Sequence, residues 1–259
     1  MEDWKIVTKK FKTIKPKSDK KPIYIPDDNI GEIRKKFVNV TALLRNSKFW
    51  WNLKIDLKYI LTFFDQISID LFCYGLGNPS NSKDSLYQLA LLVLMCEEFS
   101  VFDCSKTFVY DPILSEVSIE FIKELNFDIP SFNHNGDSPI NKCSFIFMPH
   151  CPHFLVKNII LSNWSINSLS NLIFYSNSWE TLYSELSIYE SEYSPEDLHN
   201  FIPKIRGLMK SESVEIIQTT SYKLKSELCI YSPFENLDFH FFIRDILRSK
   251  SDANNFNAD

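Results

Sequence analysis

The feature that most constrains the fold of this chain is an alternation of short apolar runs with longer stretches of helical periodicity. The runs predict strands at Ile69–Tyr74, Thr107–Tyr110, Phe127–Phe132, Cys143–Met148 and Leu172–Tyr175. Helical stretches lie between them at Ser82–Phe99, Ser115–Leu125 and Pro152–Leu161. Strands that alternate with helices form βαβ units. The sequence therefore predicts an α/β fold with a Rossmann-like, mostly parallel sheet and helices on both faces.

Further elements flank this alternation. Two helical stretches, Ile30–Arg45 and Lys48–Phe64, are expected to form an N-terminal helical cap. Beyond the alternation we expect a helix at Pro195–Met209 and an antiparallel edge built from Val214–Thr220, Leu228–Tyr231 and Leu237–Ile243.

The domain organisation follows from composition. We expect residues 23–249 to form one domain, with its core at 69–180. Residues 1–22 are predicted to be a basic, disordered tail and residues 250–259 a polar, disordered one.

The charge of the chain limits its partners. The net charge is −5, but residues 1–22 hold eight Lys against three acids, so the remainder is strongly acidic. Because phosphate binding needs a basic face, we expect no nucleic-acid partner. The basic start is either a solvated tail or a short docking arm.

The cysteines and the hydropathy pattern indicate the compartment. Six cysteines are scattered without paired spacing, which predicts neither a disulfide framework nor a zinc site. No run of 18 apolar residues occurs, and the start lacks the pattern of a signal peptide. We expect a cytoplasmic or nuclear protein that makes no membrane contact.

The loop after the first predicted strand is the main candidate for a ligand site. The chain has five glycines, and Gly75 and Gly77 lie two residues apart in this loop. Glycine permits positive φ and lets a ligand approach the backbone, and the next helix offers free N–H groups. Asn78 and Ser80 add polar groups, although Ser80 stands where a dinucleotide loop has its third glycine. A tight turn without a ligand is the alternative.

Asp111 follows the second predicted strand. In Rossmann folds an acid at this position accepts hydrogen bonds from ribose hydroxyls. It lies 34 residues after Gly77, whereas about 20 is usual, and a long first helix would explain the difference. Alternatively, Asp111 and Pro112 form a turn that ends the strand.

His150 and Cys151 follow the most apolar strand, where residues line the crevice of an open α/β sheet. His150 is the candidate catalytic residue. Three roles stay open for the pair: packing or structural hydrogen bonding, a ligand contact, and haem or metal ligation. We expect no metal site, because His150, Cys151 and His153 are too close in sequence to point at one ion.

Four segments resemble the SRR-like (sensitivity to red light reduced) protein family. They are LFCYGLGNPSNSKDSLYQLALLVLM, VYDPILSEVSIEFIKELN, FIFMPHCPHFLVKNIILSNWS and NLIFYSNSWE, and they run from about Ile69 to Glu180. The later segment ENLDFHFFI is similar to the end of the family's domain. The resemblance implies a Rossmann-like domain, in agreement with the order of elements.

The resemblance also implies a regulatory role. Members of this family have been linked to light and circadian signalling and to regulation of haem biosynthesis, and no reaction is firmly assigned to them. Pro152 departs from the family, which puts a haem site based on Cys151-Pro152 in doubt. The family's motif positions fall on Tyr74, Gly75, Gly77, Asn78, Tyr87, Gln88, Asp111, Pro112, His150, Cys151, Asn163, Trp164, Asn177, Ser178 and His240.

Two classes of function follow. The first is a regulatory protein whose pocket binds a nucleotide, an S-adenosylmethionine-like ligand or haem, and which signals through other proteins. The second is an S-adenosylmethionine-dependent methyltransferase-like enzyme, or another nucleotide-cofactor enzyme, with His150 as its base. Polar groups that converge over an apolar cleft are typical of either. The predicted ligand contacts are Gly75, Gly77, Asn78, Ser80, Asp111, His150, Cys151, Asn163 and Asn177.

Overall fold

A computed structural model describes residues 29–64, 68–131, 135–180, 195–219 and 233–250, together with Phe256. Its strands are β1 (Ile69–Tyr74), β2 (Phe102–Tyr110), β3 (Ser144–Met148), β4 (Leu172–Asn177), β5 (Glu215–Gln218) and β6 (Leu237–Phe241). They form one six-stranded sheet in the order β2-β1-β3-β4-β6-β5. The first four strands in this order are parallel, whereas β6 runs antiparallel to both β4 and β5. The predicted parallel sheet with an antiparallel edge is confirmed.

Helices cover the sheet from both sides. They are α1 (Ile30–Arg45), α2 (Lys48–Leu61), α3 (Lys83–Glu98), α4 (Glu116–Glu124), α5 (His153–Ser162), α6 (Ile166–Leu169), α7 (Pro195–Lys210) and α8 (Arg244–Ser249). Several of these helices begin after a polar residue whose side chain caps the first turn. Ser82, for example, accepts a hydrogen bond from the Ser85 N–H at the start of α3.

The strands divide their side chains between two apolar clusters. Phe145 and Phe147 of β3 join the cluster under α1 to α4, while Ile146 and Met148 join the cluster under α5 to α8. Both sets are buried because β3 lies inside the sheet, which explains the almost purely apolar sequence of this strand.

The N-terminal helices form an outer layer on α3. Consecutive residues of α3 from Ser85 to Leu92 are buried, because the sheet covers one side of this helix and the helical layer covers the other. Ion pairs also join the layer to the body, namely Arg34–Glu124, Arg45–Glu97 and Lys54–Glu98. The predicted N-terminal cap is therefore a layer over one face of the domain.

Some sequence predictions need correction. The strand predicted at Phe127–Phe132 is only an isolated bridge, in which Asp128 pairs with Phe108, and Pro130 two residues later lacks the N–H that a ladder needs. Strand β2 begins at Phe102, five residues before the predicted start. Helices α6 and α8 were not expected from the sequence.

Two predictions fall wholly outside the residues that the structure describes. The predicted tail of residues 1–22 and the predicted strand Leu228–Tyr231 lie outside the described residues. Phe256, inside the segment predicted to be a disordered tail, packs against Trp164 with ring centroids 5.3 Å apart.

In the residues that the structure describes, one part of the sheet lacks a helical cover. No helix lies between the Asp128 bridge and β3 there, and Pro130 and the loop 135–142 lie over the face of β1 and β2 opposite α3. Phe72 and Tyr74 on this face are half-buried, and they also pack against the cluster under α5 to α8. This uncovered face creates the cavity described below.

Candidate functional site

The glycine loop follows β1 at the carboxyl edge of the parallel strands. Gly75 and Gly77 both have positive φ, +72° and +76°, as predicted. However, a Cβ at Gly75 would overlap the Cys151 Sγ, and a Cβ at Gly77 would overlap the Ser85 Oγ. The glycines therefore make room for side chains of the protein itself. The space that was predicted for a ligand beside the Gly75 backbone is filled by Cys151.

Asp111 lies beside this loop at the end of β2. One of its carboxylate oxygens accepts from the Gly77 N–H at 2.8 Å, and the other accepts from the Ile113 N–H at 2.9 Å. Asp111 thus holds the glycine loop and its own turn. The ribose-binding and the turn interpretations both place it here, and its contacts match the turn.

Asn78 connects the loop to the start of α4. Its Oδ1 accepts from the hydroxyls of Ser80 at 3.1 Å, Ser115 at 3.2 Å and Ser118 at 2.5 Å. The Ser80 N–H also donates to the Ser118 Oγ at 3.0 Å. Asn78, Ser80 and Ser118 are buried, so this network satisfies polar groups that would otherwise be costly to bury.

A second turn, after β3, carries His150 and Cys151. His150 has a φ of +54°, in the left-handed region. Asn177, at the end of β4, fixes this turn: its Oδ1 accepts from the His150 N–H at 3.0 Å, and its Nδ2 donates to the Cys151 carbonyl at 3.2 Å. The His150 ring is exposed, with Nε2 3.3 Å from the Pro233 carbonyl oxygen.

The Cys151 thiol is buried. It donates to the Tyr74 carbonyl at 3.1 Å. Burial, and then the negative charge of Asp111, raise the pKa of this thiol well above its ordinary value. Because the thiolate is the nucleophile, a raised pKa disfavours Cys151 as a nucleophile.

A cavity of about 410 Å³ lies on the uncovered face of β1 and β2. Phe72 and Tyr74 of β1 are aligned with Phe108 and Tyr110 of β2 and form its floor. The rings of Phe72 and Phe108 stack with centroids 5.1 Å apart and planes 19° apart. This volume and aromatic lining fall within the range of small-molecule sites.

The wall of the cavity is the loop 135–142, and Asn163 fastens it. Asn163 is buried at the end of α5. Its Oδ1 accepts from the Ile140 N–H at 2.7 Å, and its Nδ2 donates to the carbonyls of Ser138 at 3.3 Å and Ile159 at 2.8 Å. Gly136 lets the loop approach α5, since a Cβ there would lie 2.8 Å from the Ile159 Cγ1.

The structure therefore separates the predicted residues. Asn163 lies at the far end of α5 from the carboxyl edge, behind the cavity wall. The other predicted residues come together at the carboxyl edge, where their described hydrogen bonds join protein groups to one another. They are Gly75, Gly77, Asn78, Ser80, Asp111, His150, Cys151 and Asn177.

Of the aromatic residues on the cavity floor, only Tyr74 was singled out from the sequence, as a family motif position, and the cavity itself was not predicted. Two signals pointed to them. Aromatic residues alternate with aliphatic ones at Phe72, Tyr74, Phe108 and Tyr110, and no helical stretch separates residue 128 from β3. A strand face without a crossover helix and with aromatic side chains is a candidate surface for a ligand.

Two other kinds of site have no support in the part of the chain that the structure describes. It contains no cluster of His, Cys, Asp and Glu able to hold a metal ion. None of its helices is long and apolar enough to span a bilayer.

The fold and the site define a class: α/β proteins with a Rossmann-like sheet, a glycine loop at its carboxyl edge and a small-molecule-sized cavity beside it. Comparison with known proteins identifies the family. The model of the SRR1 domain matches residues 60–241, so this chain belongs to the SRR1 domain family.

Individual relatives carry the same name. The chain is 25% identical to "Protein SENSITIVITY TO RED LIGHT REDUCED 1" of Arabidopsis thaliana over 179 residues, 68% of this chain and 60% of that protein. It is 33% identical to an SRR1-like protein of Mus musculus over 115 residues, 44% of this chain and 46% of that protein. A Drosophila melanogaster SRR1-like protein is 22% identical over 88% of this chain and 74% of its own length. The chain thus matches less than two thirds of the plant and mouse proteins.

A solved structure gives a distant likeness. It is the plantazolicin methyltransferase BpumL in complex with a desmethylPZN analog and SAH, at 14% identity and a TM-score of 0.38, over 82% of this chain and 98% of that one. A likeness at this level says nothing about activity.

Proposed function

We propose that this protein is a regulatory protein that binds a small planar ligand in the cavity on β1 and β2. The observation that carries the proposal is the aromatic floor of the cavity, Phe72 with Phe108 and Tyr74 with Tyr110, under a wall that Asn163 holds in place. Aromatic surface with a few polar groups at the rim is the usual lining of a small-molecule site.

The polar rim favours a nucleotide or an S-adenosylmethionine-like ligand. Asp70, Asn141 and Lys142 lie around the cavity, at the end where β1 and β3 begin. A flat base would lie on the aromatic floor, and its polar part would face these side chains. Haem fits less well. No histidine is among the described residues that line the cavity, and the lining residues of types that can ligate haem iron are Tyr74, Tyr110 and Cys73, which is 1% exposed.

The contacts at the carboxyl edge favour a regulator over an enzyme. The Cys151 thiol donates to the Tyr74 carbonyl and burial raises its pKa, both Asp111 oxygens accept from backbone N–H groups, and the His150 Nε2 lies against a carbonyl. A methyltransferase-like or other nucleotide-cofactor enzyme would need a group able to act as a base beside the ligand. For His150 to act as this base through Nε2, its ring would have to move away from the Pro233 carbonyl oxygen.

Tyr74 supplies a route from the cavity to the edge. Its ring lines the cavity, and its carbonyl accepts from the Cys151 thiol. Cys151 is held in turn by Asn177, together with His150. A ligand that moves Tyr74 would therefore change the exposed turn at His150, where another protein can detect it.

The biological setting is part of the proposal. The name of the plant relative refers to sensitivity to red light, which supports a role in signalling, either in light and circadian responses or in the regulation of haem biosynthesis. Cys73, Cys96, Cys143 and Cys151 carry free thiols, which supports a reducing compartment, the cytoplasm or the nucleus.

Thermal shift measurements test the ligand proposal. We would compare ATP, S-adenosylmethionine and haem, because a ligand that binds the native state raises its stability. Asn141→Trp, at the exposed rim, should fill the cavity and abolish the shift. Asn167→Trp, on the exposed surface of α6, is the matched control and should keep it.

Two results would count against the proposal. A ligand that stabilises wild type and Asn141→Trp equally binds elsewhere. Production of S-adenosylhomocysteine from S-adenosylmethionine would favour the enzyme instead.

A further inference from the structure

Exposed apolar side chains are concentrated on the N-terminal helical layer. In the described residues, the large ones are Val38, Leu43, Trp51, Ile55, Tyr59, Phe63 and Ile113. All except Ile113 lie on α1, on α2 or in the turn after α2. Scattered exposed apolar residues are normal, but such a concentration marks an interaction surface.

Three of these residues form a line along α2, and a fourth extends it into the turn after the helix. Trp51, Ile55 and Tyr59 are spaced four residues apart and are 64%, 55% and 56% exposed, so they follow one side of the helix over about 12 Å, from the rise of 1.5 Å per residue. Phe63, in the turn, is 41% exposed. Exposed Lys48 and Lys58 lie at helical spacing from this line. We call these six residues the basic-aromatic ridge.

Contacts with the body hold the ridge in place. The Tyr59 and Phe63 rings meet edge to face with centroids 5.1 Å apart, and Phe63 lies 5.5 Å from the Phe241 ring of β6. The Lys54 ammonium lies 5.6 Å from the Trp51 ring centroid while it pairs with Glu98 at 3.4 Å. A ridge that is already ordered loses little entropy on binding.

The charge of this layer is opposite to that of the rest of the chain. Residues 29–64 carry seven Lys and Arg against two Asp and Glu, whereas residues 65–259 carry 13 against 26.

Arg34, Arg45 and Lys54 of this layer pair with carboxylates of the body. Lys48 and Lys58, which are exposed beside the apolar line, are the charges that a partner on this line would meet. A partner complementary to them is acidic.

We infer that the basic-aromatic ridge docks an acidic amphipathic helix of a partner protein. A line of anchors on one side of a helix suits a partner helix that presents apolar groups at every third or fourth position. In a symmetric contact with a second copy of the chain, Lys48 and Lys58 of one copy would face the same basic residues of the other. Like charges would then repel each other across the contact. An anionic membrane would repel the acidic remainder of the chain. The inference does not depend on the ligand proposal.

The test measures binding of a synthetic probe by fluorescence polarisation. The probe is a labelled 20-residue peptide with Leu and Phe along one helical face and Glu elsewhere. A peptide of the same composition in shuffled order is the peptide control. The full chain should bind the probe more tightly than the shuffled peptide, and salt should weaken binding.

Variants locate the site. Trp51→Ser and Ile55→Ser should each weaken binding by about tenfold or more, as truncated anchors do, and Lys48→Glu with Lys58→Glu should weaken it similarly. All four positions are exposed, and melting curves check that the variants fold. Ile113→Ser and Lys210→Glu, exposed residues away from the ridge, should leave binding unchanged.

Other outcomes overturn the inference. Equal binding of both peptides, or equal binding by ridge variants and wild type, removes the acidic helix as the occupant. Ridge-dependent binding to phosphatidylserine vesicles without peptide binding assigns the ridge to a membrane. Self-association that Trp51→Ser abolishes, again without peptide binding, assigns it to a second copy.

Discussion

The carboxyl edge and the β1–β2 cavity differ in how their groups are used. At the edge, Asp111, Asn78 and Asn177 direct their hydrogen bonds to loops and turns of the protein. At the cavity, Phe72 and Phe108 meet open space. A polar cluster after parallel strands is therefore not sufficient for a ligand site, because the same groups can hold the loops that carry them.

The difference also assigns roles to residues of the same type. Gly75 accommodates Cys151 at the edge, whereas Gly136 lets the cavity wall approach α5. Asn177 fixes the turn at His150, and Asn163 fixes the wall. In each region the glycine and the asparagine stabilise a loop. Only in the second does that loop enclose a space.

The largest expected effect concerns Gly75. Gly75→Ala should cost about 2–4 kcal/mol of unfolding free energy, because it combines left-handed strain with overlap against the Cys151 Sγ. Adding Cys151→Ala should recover about 1–2 kcal/mol, since it removes the overlap and leaves the strain. Urea denaturation of the four proteins of this cycle measures both. If the costs of Gly75→Ala and Cys151→Ala in unfolding free energy simply add in the double variant, contact with Cys151 does not explain why position 75 is glycine.

Asn163→Ala should have the next largest effect. Asn163 makes three hydrogen bonds and is 1% exposed, so its loss should cost about 2–3 kcal/mol. Hydrogen exchange should become faster in residues 135–142, which lose their attachment. Asn158→Ala, which removes a single hydrogen bond to the same loop, at the Asn135 carbonyl, is the comparison variant and should cost less and speed exchange less. Unchanged exchange in the loop would show that Asn163 does not hold the wall.

The buried Cys151 thiol at the carboxyl edge should also make the free energy of unfolding depend on pH in the alkaline range. Since the folded pKa of Cys151 lies above its unfolded value near 9.0, its contribution to stability is complete below that pH and is lost as pH rises. The loss per titrating group is about 1.4 kcal/mol per pH unit. Cys151→Ser, which can still donate to the Tyr74 carbonyl, should make the decline between pH 9 and 11 shallower. An identical decline would mean that this thiol titrates normally.

How much of this was predictable depends on the kind of contact. The positions of β1 to β4 along the chain were predictable from the alternation of strands and helices, because burial imposes a period of two or 3.6 on the sequence. Phe127–Phe132 looked like a strand by composition, but Pro130 stops the ladder at Asp128. Helix α8 is too short for its periodicity to be recognised.

The site was predicted less completely, for a physical reason. Position after a strand predicts that Asp111 and His150 reach the carboxyl edge, and they do. It does not predict which protein partner each hydrogen bond uses, and whether these residues also contact a ligand stays a prediction. Asn163 was predicted to lie with the other site residues, but α5 carries the chain back across the sheet and places Asn163 at the opposite end. The cavity lies where the described chain has no helix between the Asp128 bridge and β3, and periodicity reports only elements that are present.

His150 should give the smallest effect. His150→Gly relieves the strain of a φ of +54° and loses only the contact with Pro233, so stability should stay within about 1 kcal/mol of wild type. His150→Ala keeps the strain and should be about 1 kcal/mol less stable than His150→Gly. Thermal melting compares the three proteins. The opposite order would show that the His150 side chain has a structural role that the turn does not explain.

Native mass spectrometry of the purified protein tests most directly which of the two regions holds the ligand. If the ligand lies in the β1–β2 cavity, wild type and His150→Gly should carry the same additional mass, and Asn141→Trp should lack it. If the ligand lies at the carboxyl edge, Asn141→Trp should keep the additional mass and His150→Gly should lose it, and that result would contradict the proposal.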